Sequence, residues 1–327
     1  MATLDDPVVA RRGFDEARSM WQQLGNPLGE ARVELTLARI SDGAEGVRLA
    51  ESAASRFRSA GARAAASDAS ALAAATRDEP KRDAVARVLG AFSVMRDGHV
   101  IGSSEWGSRK PRDLLKVLLA RRRGPVRRDA LLDELWPDDD PVATSRKLSV
   151  ALSTLRAILD PRKAHPPDHL VAADRNAVWL VADHWDIDLD RFLRQAADGL
   201  RLHAAADDHC IGPLTAAEAM YVGDPFEEDA YEAWAQTVRD AARATHVAVM
   251  RALAGHAAHV ADHDTAGRML LRLRERDPFD EGAHLGLVRS LRAAGRHGEA
   301  HRAYRTYCER MEEIGVEASP FPTAPGR

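Results

Sequence analysis

With 327 residues, 45% of them hydrophobic and 29% charged, the chain has the composition of an ordinary globular protein with room for two or three domains. No apolar run approaches the ~20 residues that span a bilayer, and the start MATLDDPVVARRGF lacks the charged-then-apolar order of a secretory signal. No membrane partner is therefore expected, and a cytoplasmic, nucleoid-associated location is. The formal net charge of −4 argues against a nucleic-acid binder only until it is localised: residues 107–163 hold 14 Lys and Arg against 8 Asp and Glu, leaving −10 for the rest.

Residues 1–80 read as helical hairpins. Apolar positions recur at helical spacing through Phe14, Ala17, Trp21 and Leu24 and again through Leu49, Ala53 and Phe57. Gly25 and Gly61 follow two of these helices where a left-handed C-cap is wanted. WQQLG and FRSAG place Trp21 and Phe57 36 residues apart, close to the 34-residue tetratricopeptide period. The polar stretch 76–83, with Pro80, reads as a linker.

The pattern then changes. Two short β-prone runs flank Asp97-Gly98, a hairpin turn signal. Three helices are predicted next, over 110–122, 128–136 and 143–159, the last apolar at Leu148, Leu152, Leu155 and Leu159. Asp160-Pro161 ends it. A second hairpin is predicted from 169–173 and 177–182 around Asp174-Arg175-Asn176. Residues 184–320 read as helices again, with Ala266 aligned over Ala300 and Leu270 over Tyr304 at a period of 34. The proline-rich end, residues 321–327 above all, is expected to be a flexible tail.

Sheet, three helices and a hairpin is the order of a winged helix-turn-helix, in which two helices brace a third for the major groove and the hairpin reaches the neighbouring backbone. The fold class expected is mainly α, with a winged helix at 87–183 flanked by tetratricopeptide-like repeats at 1–80 and 184–320. The polar face of the third helix carries Arg146, Lys147, Ser149, Val150, Ser153, Thr154 and Arg156. Arg146 and Lys147 suit phosphates or guanine edges, the hydroxyls either strand, and Val150 a thymine methyl. Arg109, Lys110 and Arg112 open the first helix, Arg128 opens the second, and Arg175 sits at the tip of the second hairpin; all are candidate DNA contacts. Arg121, Arg122 and Arg123 read as a solvated face, and Arg156 has a second option in Asp160 one turn on.

Residues 87–320 resemble the Streptomyces antibiotic regulatory protein family, an OmpR-like winged helix fused to a bacterial transcriptional activation domain. The resemblance is carried by RKPRDLLKVLLARRRGPVRRDALLDELWP (109–137), RKLSVALSTLRAILD (146–160), VWLVADHWDIDLDRFL (178–193), RDPFDEGAHLGLVRSLRAAGRHGEAHRAYRTY (276–307) and EEIGVEASP (312–320). It implies an activator that binds direct repeats in double-stranded promoter DNA, dimerises, and contacts the sigma or alpha subunit of RNA polymerase. It puts Arg146, Thr154 and Arg156 at positions that touch DNA and Trp136 at one that closes the core. The first 80 residues resemble the repeat region that follows the ATPase module of larger regulators, and the resemblance implies that they are a remnant of one.

Other chemistries find little support. There is no GxxxxGK[ST] phosphate loop and no nucleophile–base arrangement, so neither an enzyme nor a cofactor is expected. Cys210 and Cys308 lack ligand spacing and read as reduced thiols. His256, His259 and His263 share a predicted helix face but lack a completing carboxylate, so no metal site is assigned to them. Asp138, Asp139 and Asp140 read as the loop before the recognition helix and as candidate polymerase contacts. Tyr221, Phe226, Tyr231 and Trp234 read as core aromatics. The competing function is a helical-repeat adaptor whose winged domain docks another protein.

Overall fold

The computed structural model describes residues 7–41, 43–78, 82–137 and 141–322. Four helices come first: α1 (Pro7–Gln23), α2 (Pro27–Ile40), α3 (Gly43–Ser59) and α4 (Arg63–Asp78). Asn26 caps α2, its side chain accepting from Gly29 N at 3.0 Å, and Pro27 occupies the first turn, where a missing N–H costs nothing. Gly25 (φ 62°) and Gly61 (φ 74°) close α1 and α3 in the left-handed region, as their positions predicted. Alanines build the core: Ala31, Ala53, Ala54, Ala66 and Ala69 pack with Phe57, so the helices approach closely. Trp21 departs from its expected match with Phe57, being 38% exposed against 2%. Arg56 bridges two nearly buried acids, 2.5 Å from Glu30 and 3.2 Å from Glu34.

The winged region is built on two sheets. Strands β1 (Ala84–Arg87), β2 (Ser93–Arg96) and β3 (His99–Val100) form an antiparallel meander, with Asp97 (φ 47°) and Gly98 (φ 77°) making the tight turn. Helices α5 (Arg109–Ala120), α6 (Arg128–Leu135) and α7 (Pro141–Leu159) follow, with β4 (Val126–Arg127) ahead of α6. Strands β5 (Val171–Ala173) and β6 (Ala177–Leu180) pair antiparallel, and β4 adds to β6, giving the order β4-β6-β5. The next strand, β7 (Trp185–Ile187), lies where helix was expected; it pairs in parallel with β1 to complete the order β3-β2-β1-β7. A three-residue strand whose register is set only by a partner 100 residues away leaves no local periodicity to read.

Helices α8 (Asp188–Ala204), α9 (Ile211–Met220), α10 (Ala233–His259), α11 (His263–Arg276), α12 (Glu281–Ala293) and α13 (His297–Glu313) complete the chain. The chain divides into two compact units: the first runs through Phe192 and includes Ala219–Arg243, and the second takes Leu193–Glu218 and everything from Ala244. In the second, Met250, Ala254, Leu270, Leu273, Leu287 and Val288 share one core. Ala266 and Ala300, aligned by the 34-residue period, are both fully buried. Asp262 and Asp280 cap α11 and α12, accepting from Thr265 N at 3.1 Å and Ala283 N at 2.9 Å. The fold is thus mainly α, a winged helix with tetratricopeptide-like helical repeats on either side in sequence.

Three expectations need correction. Residues 318–322 do not fray: Tyr307 Oη accepts from Ser319 N at 2.8 Å, and the Phe321 ring packs edge-on to Tyr304 with centroids 5.0 Å apart. Residues 323–327 lie outside the described residues. Tyr231 is fully exposed, whereas Tyr221, Phe226 and Trp234 are buried, because Tyr231 falls in the turn before α10 rather than on a packed face. His256, His259 and His263 do not share a helix, since α10 ends at His259 and Ala261 takes a left-handed conformation (φ 61°).

Candidate nucleic-acid interface

The apolar stripe of α7 positions the site. Leu148, Leu152, Leu155 and Leu159 are each 5% exposed or less, and α7 packs against α5 and α6, whose Leu114, Leu118, Leu131 and Leu135 are likewise buried. Burying that stripe turns the opposite face outward. Arg146, Lys147, Ser149, Val150 and Ser153 are exposed, Val150 by 60%, and Thr154 is half-buried. The Ser149 hydroxyl donates back to Ser145 O at 3.2 Å, as serines on free helix faces do.

The β5–β6 hairpin forms the wing. Its tip is an Asx turn in which Asp174 Oδ1 accepts from Asn176 N and Ala177 N, both at 2.7 Å. Those two donors hold the Asp174 carboxyl below the usual carboxylate range. Arg175 is exposed at the apex. Arg128 anchors the turn to α6, donating Nε to Asp174 O at 3.0 Å while its own N–H donates to Asn176 O at 2.9 Å. Between α7 and the loop that leads from it into β5 runs an open groove of about 860 Å³, lined by Arg128, Ser149, Ser153, Arg156, His165 and Val171 among others.

Several predicted DNA contacts have partners within the chain. Lys110 Nζ donates to Leu135 O at 2.5 Å, satisfying a carbonyl at the end of α6, and lies 5.5 Å from the Trp136 ring centre. Trp136 is half-buried beneath it. Arg112 pairs with Glu228 at 2.9 Å and covers the Phe92 ring. Arg156 does not pair with Asp160; it donates Nε to Val171 O at 3.0 Å and Nη2 to Asp168 Oδ1 at 2.5 Å, binding α7 to the wing. Asp160 is instead occupied by Ala164 N and His165 N, both at 2.9 Å. Arg109 is open to solvent beside Asp113 at 3.3 Å. Arg121 and Arg122 are not a solvated face, since they pair with Glu134 and Asp190, the Arg122 side chain being only 6% exposed. Asp138, Asp139 and Asp140 lie outside the described residues.

Two buried groups that sequence reasoning missed hold this frame. Lys116, 2% exposed at the centre of α5, reaches Asp229 Oδ2 at 2.5 Å. Asp188 accepts from Val88 N at 2.9 Å, Leu89 N at 3.2 Å and Leu189 N at 2.7 Å, and burial pushes its carboxyl up to about 6 against the pull of those donors. The only sequence signal for Asp188 is its place at the head of an amphipathic helix, where a carboxylate suits the N-terminus.

Residues 103–176 match the family described as transcriptional regulatory protein, C terminal, and residues 187–323 match the bacterial transcriptional activator domain. These two domains, in this order, are the arrangement of the Streptomyces antibiotic regulatory protein family, which the sequence resembles. Among its relatives, the transcriptional regulatory protein MoaR1 of Mycobacterium bovis and that of Mycobacterium tuberculosis are each 31% identical over 98 residues, 30% of this chain and 32% of theirs. The chain thus spans about a third of the length of those relatives. Mycobacterium tuberculosis EmbR, solved in complex with a low-affinity phosphopeptide, superposes with a TM-score of 0.62 over 74% of this chain and 63% of its own, at 22% identity. That likeness is one of fold. No described helix is long and apolar enough to cross a membrane.

Proposed function

We propose that this chain is a sequence-specific DNA-binding transcriptional regulator, an activator, that places α7 in the major groove of promoter DNA and the Arg175 wing tip on the adjacent backbone. The observation that carries the reading is the outward face of α7: two cations at its start, then hydroxyls and an exposed valine, over a fully buried stripe. Arg146 and Lys147 take phosphates or guanine edges, Ser149 and Ser153 hydrogen-bond to either strand, and Val150 meets a thymine methyl. Arg109 and Arg175 add backbone contacts. Lys110, Arg112, Thr154 and Arg156 act mainly by setting the pose of α5, α7 and the wing, since each is wholly or partly engaged within the protein. The functional division that fits this reading is 1–80, 87–183 and 184–320, with the flanking repeats as protein-contacting arms. Dimerisation, contact with RNA polymerase through Asp138, Asp139 and Asp140, and the lack of catalytic activity follow from the family resemblance as parts of the same proposal.

The test uses DNA fragments that the full chain recovers from sheared genomic DNA. Arg146→Glu with Lys147→Glu is expected to abolish binding at moderate salt while leaving the circular dichroism spectrum and melting unchanged. The wild-type affinity should fall steeply with salt, and Arg175→Ala should lower the slope of log K against log salt by about 1. Undiminished fragment binding by the double variant would remove α7 from the reading role; a chain that recovers no DNA at low salt but captures a protein would favour the adaptor.

A further inference from the structure

A cluster of one carboxylate and three imidazoles lies in the first unit, behind the wing. Asp83 precedes β1, His165 and His169 belong to the loop between α7 and β5, and His184 stands just before β7. Asp83 Oδ2 lies 2.7 Å from His169 Nε2 and 3.1 Å from His184 Nδ1, so two rings converge on a single oxygen. The His165 ring is stacked on His169, centroids 4.1 Å apart and 5° from parallel, and His169 meets His184 at 3.6 Å. One donor atom each from Asp83, His165 and His169 lies within 4.8 Å of the others. We propose that these residues form a binding site for one divalent transition-metal ion, with Asp83, His165 and His169 as its ligands and His184 orienting the Asp83 carboxylate.

The chemistry of the donor set favours zinc and its neighbours, because imidazole with one carboxylate is the combination that Zn²⁺, Co²⁺ and Ni²⁺ take up and that hard cations do not. Metal–nitrogen and metal–oxygen bonds of about 2.0–2.2 Å put tetrahedral donors about 3.3 Å apart; Asp83 and His169 stand at 2.7 Å and all three donor atoms lie within 4.8 Å, so side-chain rotations alone bring them to that spacing. The frame is held independently of any ion. Asp83 N donates to His184 O at 3.0 Å, His165 N to Asp160 Oδ2 at 2.9 Å, and His169 N to Pro166 O at 3.0 Å. Pro166 and Pro167 stiffen the run between the two loop ligands. Trp185 Nε1 donates to Leu170 O at 3.0 Å beneath. Arg82, the nearest cation in sequence, is turned onto Ala182 O at 3.0 Å and leaves the cluster to the acid. His165 is exposed and provides the entry path, while His169 is only 18% exposed.

The full chain, stripped with chelator, is titrated with Zn²⁺ by calorimetry and with Co²⁺ by visible absorption. One ion per chain is expected, with the intense d–d bands of tetrahedral Co²⁺ and a melting temperature that rises with free Zn²⁺. His165→Ala, at an exposed position that leaves folding intact, should weaken Zn²⁺ binding by about 100-fold or more, and His169→Gln likewise. His256→Ala, remote in sequence, should bind as the wild type does. No uptake, uptake unaltered by His165→Ala and His169→Gln, or uptake lost in His256→Ala would each overturn the site.

Discussion

Replacing Lys116 with methionine strands a carboxylate in a place the fold cannot hydrate. The Lys116 side chain is 2% exposed, its Nζ lies 2.5 Å from Asp229 Oδ2, and the Asp229 side chain is itself 8% exposed. The second acid, Glu228, is 3.4 Å from Nζ but 40% exposed, and it keeps Arg112. Methionine preserves most of the stem and its contact with Phe92, so what changes is the charge. Removing one partner of a buried pair costs about 3–5 kcal/mol, whereas the exposed Glu228 contact contributes less than about 1 kcal/mol. A loss of about 3–4 kcal/mol is therefore expected, a large fraction of the about 5–15 kcal/mol that holds a domain folded. Lys116→Met combined with Asp229→Leu removes both charges and should recover to within about 1 kcal/mol of wild type. Urea unfolding of the two single variants and the double variant, read by circular dichroism and fluorescence, completes the cycle. A cost below about 1 kcal/mol for Lys116→Met, or a double variant as unstable as the sum of the singles, would refute the claim that this pair is desolvated.

Three further outcomes follow from named contacts. Asp188 loses its proton near 3.8 when unfolded and near 6 when folded, so the folded chain binds the extra proton between those values; its contribution to stability falls as pH rises from about 4 to about 6 and is level above. The Asp188→Asn variant should lose that slope, so the gap between it and wild type should shift by about 3 kcal/mol from pH 4 to pH 7 in urea midpoints; a constant gap contradicts the assignment. Arg156→Lys cannot hold both Val171 O and Asp168, and should cost about 1–2 kcal/mol with faster amide exchange at Val171 and Leu180; unchanged exchange would mean that the wing stands without it. Tyr307→Phe removes a hydroxyl that donates to Glu281 Oε1 at 2.6 Å and accepts from Ser319 N at 2.8 Å. It should cost about 1–3 kcal/mol and open residues 316–322 to proteolysis, and an equally resistant variant would show that Phe321 alone holds the end.

Much of the frame could be read directly from the chain. The leucine spacing of α7, the Asp97-Gly98 and Asp174–Asn176 turns, the glycine caps after α1 and α3, and the Ala266–Ala300 period are all local patterns, and each stands where it was expected. The outward face of α7 was equally legible, because a buried stripe of known period leaves its opposite face defined. Partners were not legible. Lys110, Arg112 and Arg156 look identical in sequence to any groove-facing cation, yet each meets a carbonyl or acid 12 to 116 residues away. Tyr231 stands only three residues before the buried Trp234, yet it falls in the turn ahead of α10 and ends in water.

By itself, then, the sequence determined element type, order and the orientation of each amphipathic face, because these depend on hydrophobic periodicity and on turn residues a few positions apart. Only the tertiary structure decided which charges were withdrawn from solvent. It buried Lys116 against Asp229, set β7 beside β1, and drew two histidines onto Asp83 with a third stacked on one of them. The physical reason is that a charge is indifferent to its neighbours in the chain but strongly sensitive to the dielectric and the donors around it, and those are supplied by segments 86 to 113 residues distant.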